Sequence, residues 1–360
     1  MTKKSIIPFG PNHPVLPEPI HIDLEVQDEI VVGAKANFGF VHRGLEALCT
    51  ERDYQDYVAI AERTCGICSF MHGMGYCDSV ENMMQLEIPE RANYLRCIWA
   101  ELSRIHSHLL WLGLLADAFG FESLHNHSWR LRDKVLDIFQ MTTGGRIIFS
   151  VCKIGGVKRD MSSEQLRFIE KTLAELKVDM KGIQAVFLQD RLVRTRLDGQ
   201  AHMSKEMAID FGTVGPFMRA SGVNWDMRQT GYAIYDQLDF EPVVRTGGDS
   251  YARVDCRIEE ISQSCDLISQ MIRQMPEGDI DLKQIKGNPK GEWMTRFEQP
   301  RGEAIYYTMG VGKKNLARMR IRTPTIANLP AICECLKGTP AADVMVAILT
   351  IDPCISCVDR

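Results

Sequence analysis

Two Cys-x-x-Cys pairs, one near each end of a 360-residue chain, limit the folds open to it more than any other feature. The first is Cys65-Gly66-Ile67-Cys68 and the second is Cys354-Ile355-Ser356-Cys357. Two intervening residues let both sulfurs of a pair turn toward one ion from a tight turn or a helix start. Four thiolates suit zinc, an iron–sulfur cluster or a thiophilic transition metal such as nickel. Structural zinc ribbons hold their pairs about 15–20 residues apart, whereas here nearly the whole chain lies between them. If the pairs share a site, the fold has to bring both ends to one buried, late-closing point. That favours a functional cofactor over a folding staple, with a structural zinc as the alternative.

The other cysteines fit a different reading. A reducing compartment disfavours disulfides, and Cys49, Cys77, Cys97, Cys152, Cys256, Cys265, Cys333 and Cys335 read as small buried hydrophobes. Cys333-x-Cys335 is a weak metal signal. The compartment is inferred from the first ten residues, which include Lys3 and Lys4 but no apolar run. They carry neither a secretory nor a twin-arginine pattern, so a cytoplasmic chain is expected. The most apolar long stretch, residues 95–121, includes Arg96, Glu101, Arg104, His106 and His108, which suits a buried helix better than a membrane span. A net charge of −5 and a pI near 6.0 give no nucleic-acid signature.

Apolar residues at three- and four-residue steps predict a long helix over residues 90–118, entered at Pro89. Further helices are expected over 51–63, 69–86 and 123–142, the last stopped at Gly144. Ser162 and Gln165 form a capping box that opens a helix reaching about residue 188. Another runs from Tyr251 to Met275. Alternation over 20–26 and 29–35 predicts an N-terminal hairpin, while residues 1–19 read as irregular. A second hairpin is expected from 303–309 and 317–321, and a short apolar helix over 341–349 ends just before Cys354. The expected architecture is mainly α (α+β), a long-helix bundle with small β elements near both termini, in one domain over residues 1–360.

The contexts of the pairs carry a resemblance. Arg63-x-Cys65-Gly66-x-Cys68 followed by His72, with Asp352-Pro353-Cys354-x-x-Cys357-x-x-Arg360, closely resembles the large subunit of [NiFe]-hydrogenases. Pro8-Phe9-Gly10-Pro11-Asn12-His13-Pro14, Arg104-Ile105-His106-Ser107-His108, Gly155-Gly156-Val157-Lys158-Arg159-Asp160 and Val214-Gly215-Pro216 resemble its energy-converting, membrane-associated (group 4) branch. The likeness is strongest to the Ech and CO-dehydrogenase-linked types, relatives of respiratory complex I.

The resemblance implies a Ni-Fe(CN)2(CO) cluster, with Cys65 and Cys354 as terminal nickel ligands and Cys68 and Cys357 bridging to iron. Arg301, in Pro300-Arg301-Gly302, matches the arginine that hangs over the open metal position, and Asp352 is its expected partner. Glu18 matches a glutamate that takes the first proton from a terminal thiolate. His72 is expected to hydrogen-bond a bridging sulfur. Glu46, in His42-Arg43-Gly44-Leu45-Glu46, matches a ligand of a second metal, magnesium or iron, which standard hydrogenases complete with a terminal histidine. Arg360 stands there instead, and an arginine cannot ligate, so a Glu46–Arg360 ion pair is the alternative. The implied partners are a small subunit with a [4Fe–4S] cluster, a polyferredoxin-like subunit, integral membrane ion-pumping subunits and ferredoxin. The chain would lie peripherally on the cytoplasmic side of the cytoplasmic membrane. Two other readings compete: the complex I quinone-site subunit, which lacks the nickel ligands, and a zinc-stapled scaffold.

Overall fold

A computed structural model describes residues 4–14 and 16–360. Strands β1 (Ser5–Phe9), β2 (His21–Gln27) and β3 (Ile30–Asn37) form an antiparallel sheet in that order. Short helices α1 (Leu45–Leu48) and α2 (Tyr57–Glu62) lead to α3 (Ser69–Met84), α4 (Glu90–Ala118) and α5 (Glu122–Thr143). A two-stranded sheet, β4 (Cys152–Lys153) and β5 (Gly156–Val157), precedes α6 (Ser163–Gln189). Helices α7 (Arg191–Leu197), α8 (Lys205–Asp210) and α9 (Pro216–Arg219) are short, and α10 (Ser250–Gln274) is long. The chain closes with the antiparallel sheet β6 (Lys290–Gln299), β7 (Gly302–Val311), β8 (Leu316–Arg322). Helices α11 (Pro324–Cys335), α12 (Val344–Ile351) and α13 (Ile355–Asp359) follow. The fold is mainly α with small sheets.

Helix α4 is the axis, packed by α3, α5, α10 and α12. It is buried on all sides, so its charged residues must be paired to be tolerated. Arg96 meets Glu81 through two 2.7 Å bonds. Glu101 and Arg104 join a buried network with Arg219, Asp226, Arg228, Glu260 and Glu298. Those charges explain why a long buried helix is not a membrane span. Among the described residues no helix is long and apolar enough to cross a membrane.

A second apolar core joins the two ends of the chain. Ile20, Ile22, Leu24, Val26 and Val31 pack with Leu329, Ile332, Leu336, Val344, Ile348, Ile351 and Ile355. The period-2 face of β2 is thus covered by the helices that carry the second cysteine pair.

The long helices and both hairpins form where the periodicity predicts them, and the capping box closes from both sides. Three expectations are corrected. The stretch 1–19 is not wholly irregular, because Ser5–Phe9 pairs with β2 from Ser5↔Val26 to Phe9↔Ile22. Pro8 is tolerated there because β1 is an edge strand. Residues 51–63 are helical only from Tyr57 onward, since Tyr54 N bonds Lys314 O at 2.7 Å across the molecule. The C-terminal hairpin has a third strand, β6, whose first half is exposed and lacks an alternating signal.

Candidate metal centre

Each cysteine pair lies at the start of a helix. Cys68 is the residue before α3, and Cys354 is the residue before α13. Helix N-termini offer unpaired N–H groups and a positive dipole end, which suits thiolates. In the first pair, Ile67 N and Cys68 N point at Cys65 Sγ from 3.2 and 3.4 Å. In the second, Asp352 turns the chain with φ 60° and Pro353 stops α12 from continuing.

The pairs meet. Cys65 Sγ lies 3.3 Å from Cys354 Sγ, and Cys68 Sγ lies 3.5 Å from Cys357 Sγ. Those separations are far beyond a disulfide bond of about 2.05 Å. The sulfurs of Cys65, Cys68 and Cys357 all fall within 4.8 Å of one another. All four cysteines are at most 2% exposed and pack as a cluster of their own. Hydrogen bonds with Cys354, Cys357 and Cys65 hold the Cys68 thiol well below its ordinary value. Cys357 is pushed well above it by its bonds with Cys354, Cys65 and Cys68. One buried thiolate thus opposes the next, and a soft cation supplies the charge that would let all four ionise. The donor set fits a thiophilic metal.

The groups around the sulfurs come from distant parts of the chain. His72, one turn into α3, places Nε2 3.3 Å from Cys357 Sγ and Nδ1 2.6 Å from the Tyr306 hydroxyl on β7. If Tyr306 donates to Nδ1, then Nε2, which also lies 3.4 Å from Gln299 Nε2, carries the hydrogen toward the sulfur. Arg301 occupies the two-residue turn between β6 and β7. Its Nη2 donates to Asp352 Oδ1 at 2.7 Å, its Nε to Asp352 O at 2.9 Å and its Nη1 to Ser107 Oγ at 3.1 Å. Burial works against the Arg301 charge, but Asp352 and the cysteines Cys354, Cys68 and Cys65 outweigh it and hold its pKa well above the ordinary value. The guanidinium is a fixed positive charge.

Backbone contact sets that turn. Arg104 donates to the carbonyls of Glu298 and Gln299, both at 3.1 Å, just before Pro300. A Cβ on Gly215 would lie 2.3 Å from Arg301 O, and one on Gly302 would lie 2.7 Å from Gly215 Cα. The Val214-Gly215-Pro216 and Pro300-Arg301-Gly302 motifs are therefore one packing unit, and both glycines have positive φ.

Glu18 accepts from the backbone N of Ser356 at 2.7 Å and from its hydroxyl, inside the second cysteine pair. Glu46 lies apart from the sulfurs. Its Oε1 accepts from Arg360 Nε and Ile321 N at 2.7 and 2.8 Å, and its Oε2 from Arg320 Nη1 at 2.6 Å. Burial works to raise the Glu46 carboxyl, and these bonds overcome it to leave the pKa lowered. The ion pair with Arg360 is formed, and both carboxylate oxygens already face cations or N–H groups, which argues against the second metal.

Sequence reasoning missed several residues that hold the site. Arg43 donates to Arg63 O and Thr64 O, both at 2.8 Å, and to Ser356 O at 3.3 Å, so it bridges the two cysteine segments. Thr323 donates to Cys357 O at 2.8 Å, and Thr325 accepts from Cys354 N at 3.1 Å. Arg43 lay in a quoted motif, but nothing in its spacing tied it to either pair.

Two family models match. One, described as respiratory-chain NADH dehydrogenase, 49 Kd subunit, covers residues 119–290 and 282–360. The other, nickel-dependent hydrogenase, covers residues 43–117, which include the first cysteine pair. This chain belongs to the family of nickel-dependent hydrogenase and complex I 49 kDa subunits. It is 38% identical to the membrane-bound hydrogenase subunit alpha of Pyrococcus furiosus, over 98% of this chain and 87% of that one. It is 35% identical to the carbon monoxide-induced hydrogenase of Rhodospirillum rubrum, over 98% and 99% of the two chains. A chain of the membrane-bound sulfane sulfur reductase, an archaeal respiratory membrane complex, matches with a TM-score of 0.95 and 30% identity, over 99% of this chain and 98% of that one. Relatives in this family include oxidoreductase subunits of membrane-bound complexes.

Proposed function

We propose that this chain is the catalytic large subunit of a membrane-associated, energy-converting [NiFe]-hydrogenase, reversibly reducing protons to H2. The convergence of four buried thiols from the two ends of the chain carries this reading. A quinone-site subunit of the 49 kDa type has no chemical need for four buried, clustered sulfurs within electrostatic reach of a guanidinium. The two relatives named as hydrogenases, at 38% and 35% identity, support it, although NADH-quinone oxidoreductase D subunits match over as much of the chain at 31–33%.

Cys65, Cys68, Cys354 and Cys357 would hold a Ni-Fe(CN)2(CO) cluster. When bound, that group supplies the redox and Lewis-acid chemistry of H2. The chain's residues do the rest. His72 donates to the Cys357 sulfur and moderates its basicity. Arg301 holds a positive charge over the site, oriented by Asp352 and Ser107, and is too firmly protonated to serve as a base on its own. Glu18, bonded to Ser356 within the second cysteine pair, would receive a proton leaving the cysteine cluster. The near absence of exposure at the sulfurs excludes bulk water from this transfer. Electrons would come from reduced ferredoxin through a [4Fe–4S] cluster in a small subunit and a polyferredoxin-like subunit. Membrane subunits would use the energy to move ions, with this chain on the cytoplasmic face.

Elemental analysis and infrared spectroscopy of the purified complex test the reading. Nickel at this subunit, with CO and cyanide stretching bands, is the expected result. Zinc alone, without those bands, returns the cysteines to a structural clasp, and no metal at all favours the quinone-site reading.

A further inference from the structure

The second cysteine pair hangs from the C-terminal end of α12, where a helix leaves its last carbonyls without intrahelical partners. Here those carbonyls are buried and are satisfied from two other helices. Trp111 Nε1 on α4 donates to Leu349 O at 2.5 Å. Arg257 on α10 donates from Nη1 to Thr350 O at 2.7 Å and from Nη2 to Ile351 O at 2.9 Å. The Arg257 guanidinium lies 4.8 Å from the Trp111 ring centroid, and neither side chain is more than 1% exposed. The very next residue is Asp352, with φ 60°, a conformation uncommon for a residue other than glycine. Asp352 then presents its carbonyl and Oδ1 to Arg301.

We propose that Arg257, seated on Trp111, is a positioning residue: it fixes the exit of α12 and so sets Cys354 and the Asp352–Arg301 pair against the first cysteine pair. Its fork of two parallel donors matches two successive carbonyls, which a lysine ammonium cannot reproduce. Its charge also complements the negative end of the α12 dipole. The device is made in trans. Helices α4 and α10, which hold the central core, dictate where the last cysteines stand. For nickel, the consequence rests on the hydrogenase reading above; the hold on residues 344–360 does not.

The test compares the full complex carrying wild type, Arg257→Met, Arg257→Lys and Trp111→Phe. Hydrogen exchange is followed by mass spectrometry over residues 344–360 and over α4 and α10, and nickel per chain is measured. With Arg257→Met, exchange in residues 344–360 is expected to rise on the order of tenfold, the equivalent of about 1.4 kcal/mol. Arg257→Lys and Trp111→Phe should give smaller rises, with α4 and α10 unchanged and nickel content falling in the same order. Exchange in 344–360 as slow as in wild type would overturn the inference. So would an acceleration spread equally over α4 and α10, which marks a general core residue. If Arg257→Met does not assemble, the two milder variants decide by the same comparison. A wild type without nickel would remove the hydrogenase reading and leave the exchange data to judge Arg257.

Discussion

Gly302 follows Arg301 directly, has φ 127°, and touches the backbone of Gly215. A methyl group there meets backbone rather than a flexible side chain, so the turn itself must move. Gly302→Ala is expected to destabilise the protein by about 1–3 kcal/mol. By shifting Arg301 it should also lower H2 evolution on the order of 100-fold, while nickel content stays near that of the wild type. Chemical denaturation, a gas assay and metal analysis read the three effects, and wild-type turnover would show that the placing of Arg301 does not matter. At this scale the four cysteines, Arg301, Glu18 and His72 were legible, because short motifs keep their neighbours together. Arg43, Thr323, Thr325 and Tyr306 were not, because their role is a contact across the fold and not a spacing.

Helices were the most legible elements, since burial of one face writes a 3.6-residue period into the sequence. Helix α6 shows this from cap to end. Ser162 Oγ accepts from Gln165 N at 3.3 Å, and Gln165 Oε1 accepts from Ser162 N at 2.8 Å. Ser162→Ala should cost about 1 kcal/mol of stability by loss of that cap. Because α6 packs on α5, α7 and α10, away from the sulfurs, activity and nickel content are expected to stay unchanged. Thermal melting beside a gas assay would reveal a coupling that the contacts do not provide. Strands were less legible. β6 exposes its first half, and β1 takes its place only by pairing with β2. Helix α11 also went unread, because Pro324 and Pro330 break the usual signal; Pro324 sits harmlessly in the first turn.

The whole molecule buries ionisable groups that oppose acid. Burial, then the charges of Arg132 and Arg301, pushes His106 down to about 3. Burial pushes His108 down to about 4 against the pull of Glu260. Both are neutral in the fold, while the unfolded chain takes up a proton at each as pH falls below about 6.5. Their contribution is therefore full above about 6.5 and is lost as pH falls toward 4 and 3. Glu298 acts the other way. Burial and Asp226 raise it to about 7, so the fold holds a proton there that the unfolded chain has released above about 4.5. For these three groups the difference is one net proton between about pH 4.5 and 6.5, a loss of about 1.4 kcal/mol per unit of acidification, which the raised carboxyls of Glu62, Asp78 and Asp352 partly offset. Below that window Glu101 adds to the loss. Burial works to raise it, but Arg104 and Arg228 hold it at about 2, and its stabilising effect fades as pH falls from about 4.5 toward 2. Denaturant midpoints measured from pH 7 to 4 check this, and a flat profile would mean that the raised carboxyls cancel the histidines or that the histidines are already charged.

The sequence by itself determined the long helices and the candidate thiolates and, if those share a site, the need for both ends to meet, since these rest on residue type and local period. Tertiary structure decided how they meet. The inward face of β2 and the apolar faces of α11, α12 and α13 each lack a partner nearby in the chain, and burying them against each other removes both from water. That same burial brings Cys354 to Cys65 and Cys357 to Cys68. It also decided the fate of Glu46, which pairs with Arg360 only because the last residues fold back onto α1 and β8. Contacts between residues so far apart leave no period or spacing to read, which is why the thiols and the long helices were visible in the chain and the contacts that join its two ends were not.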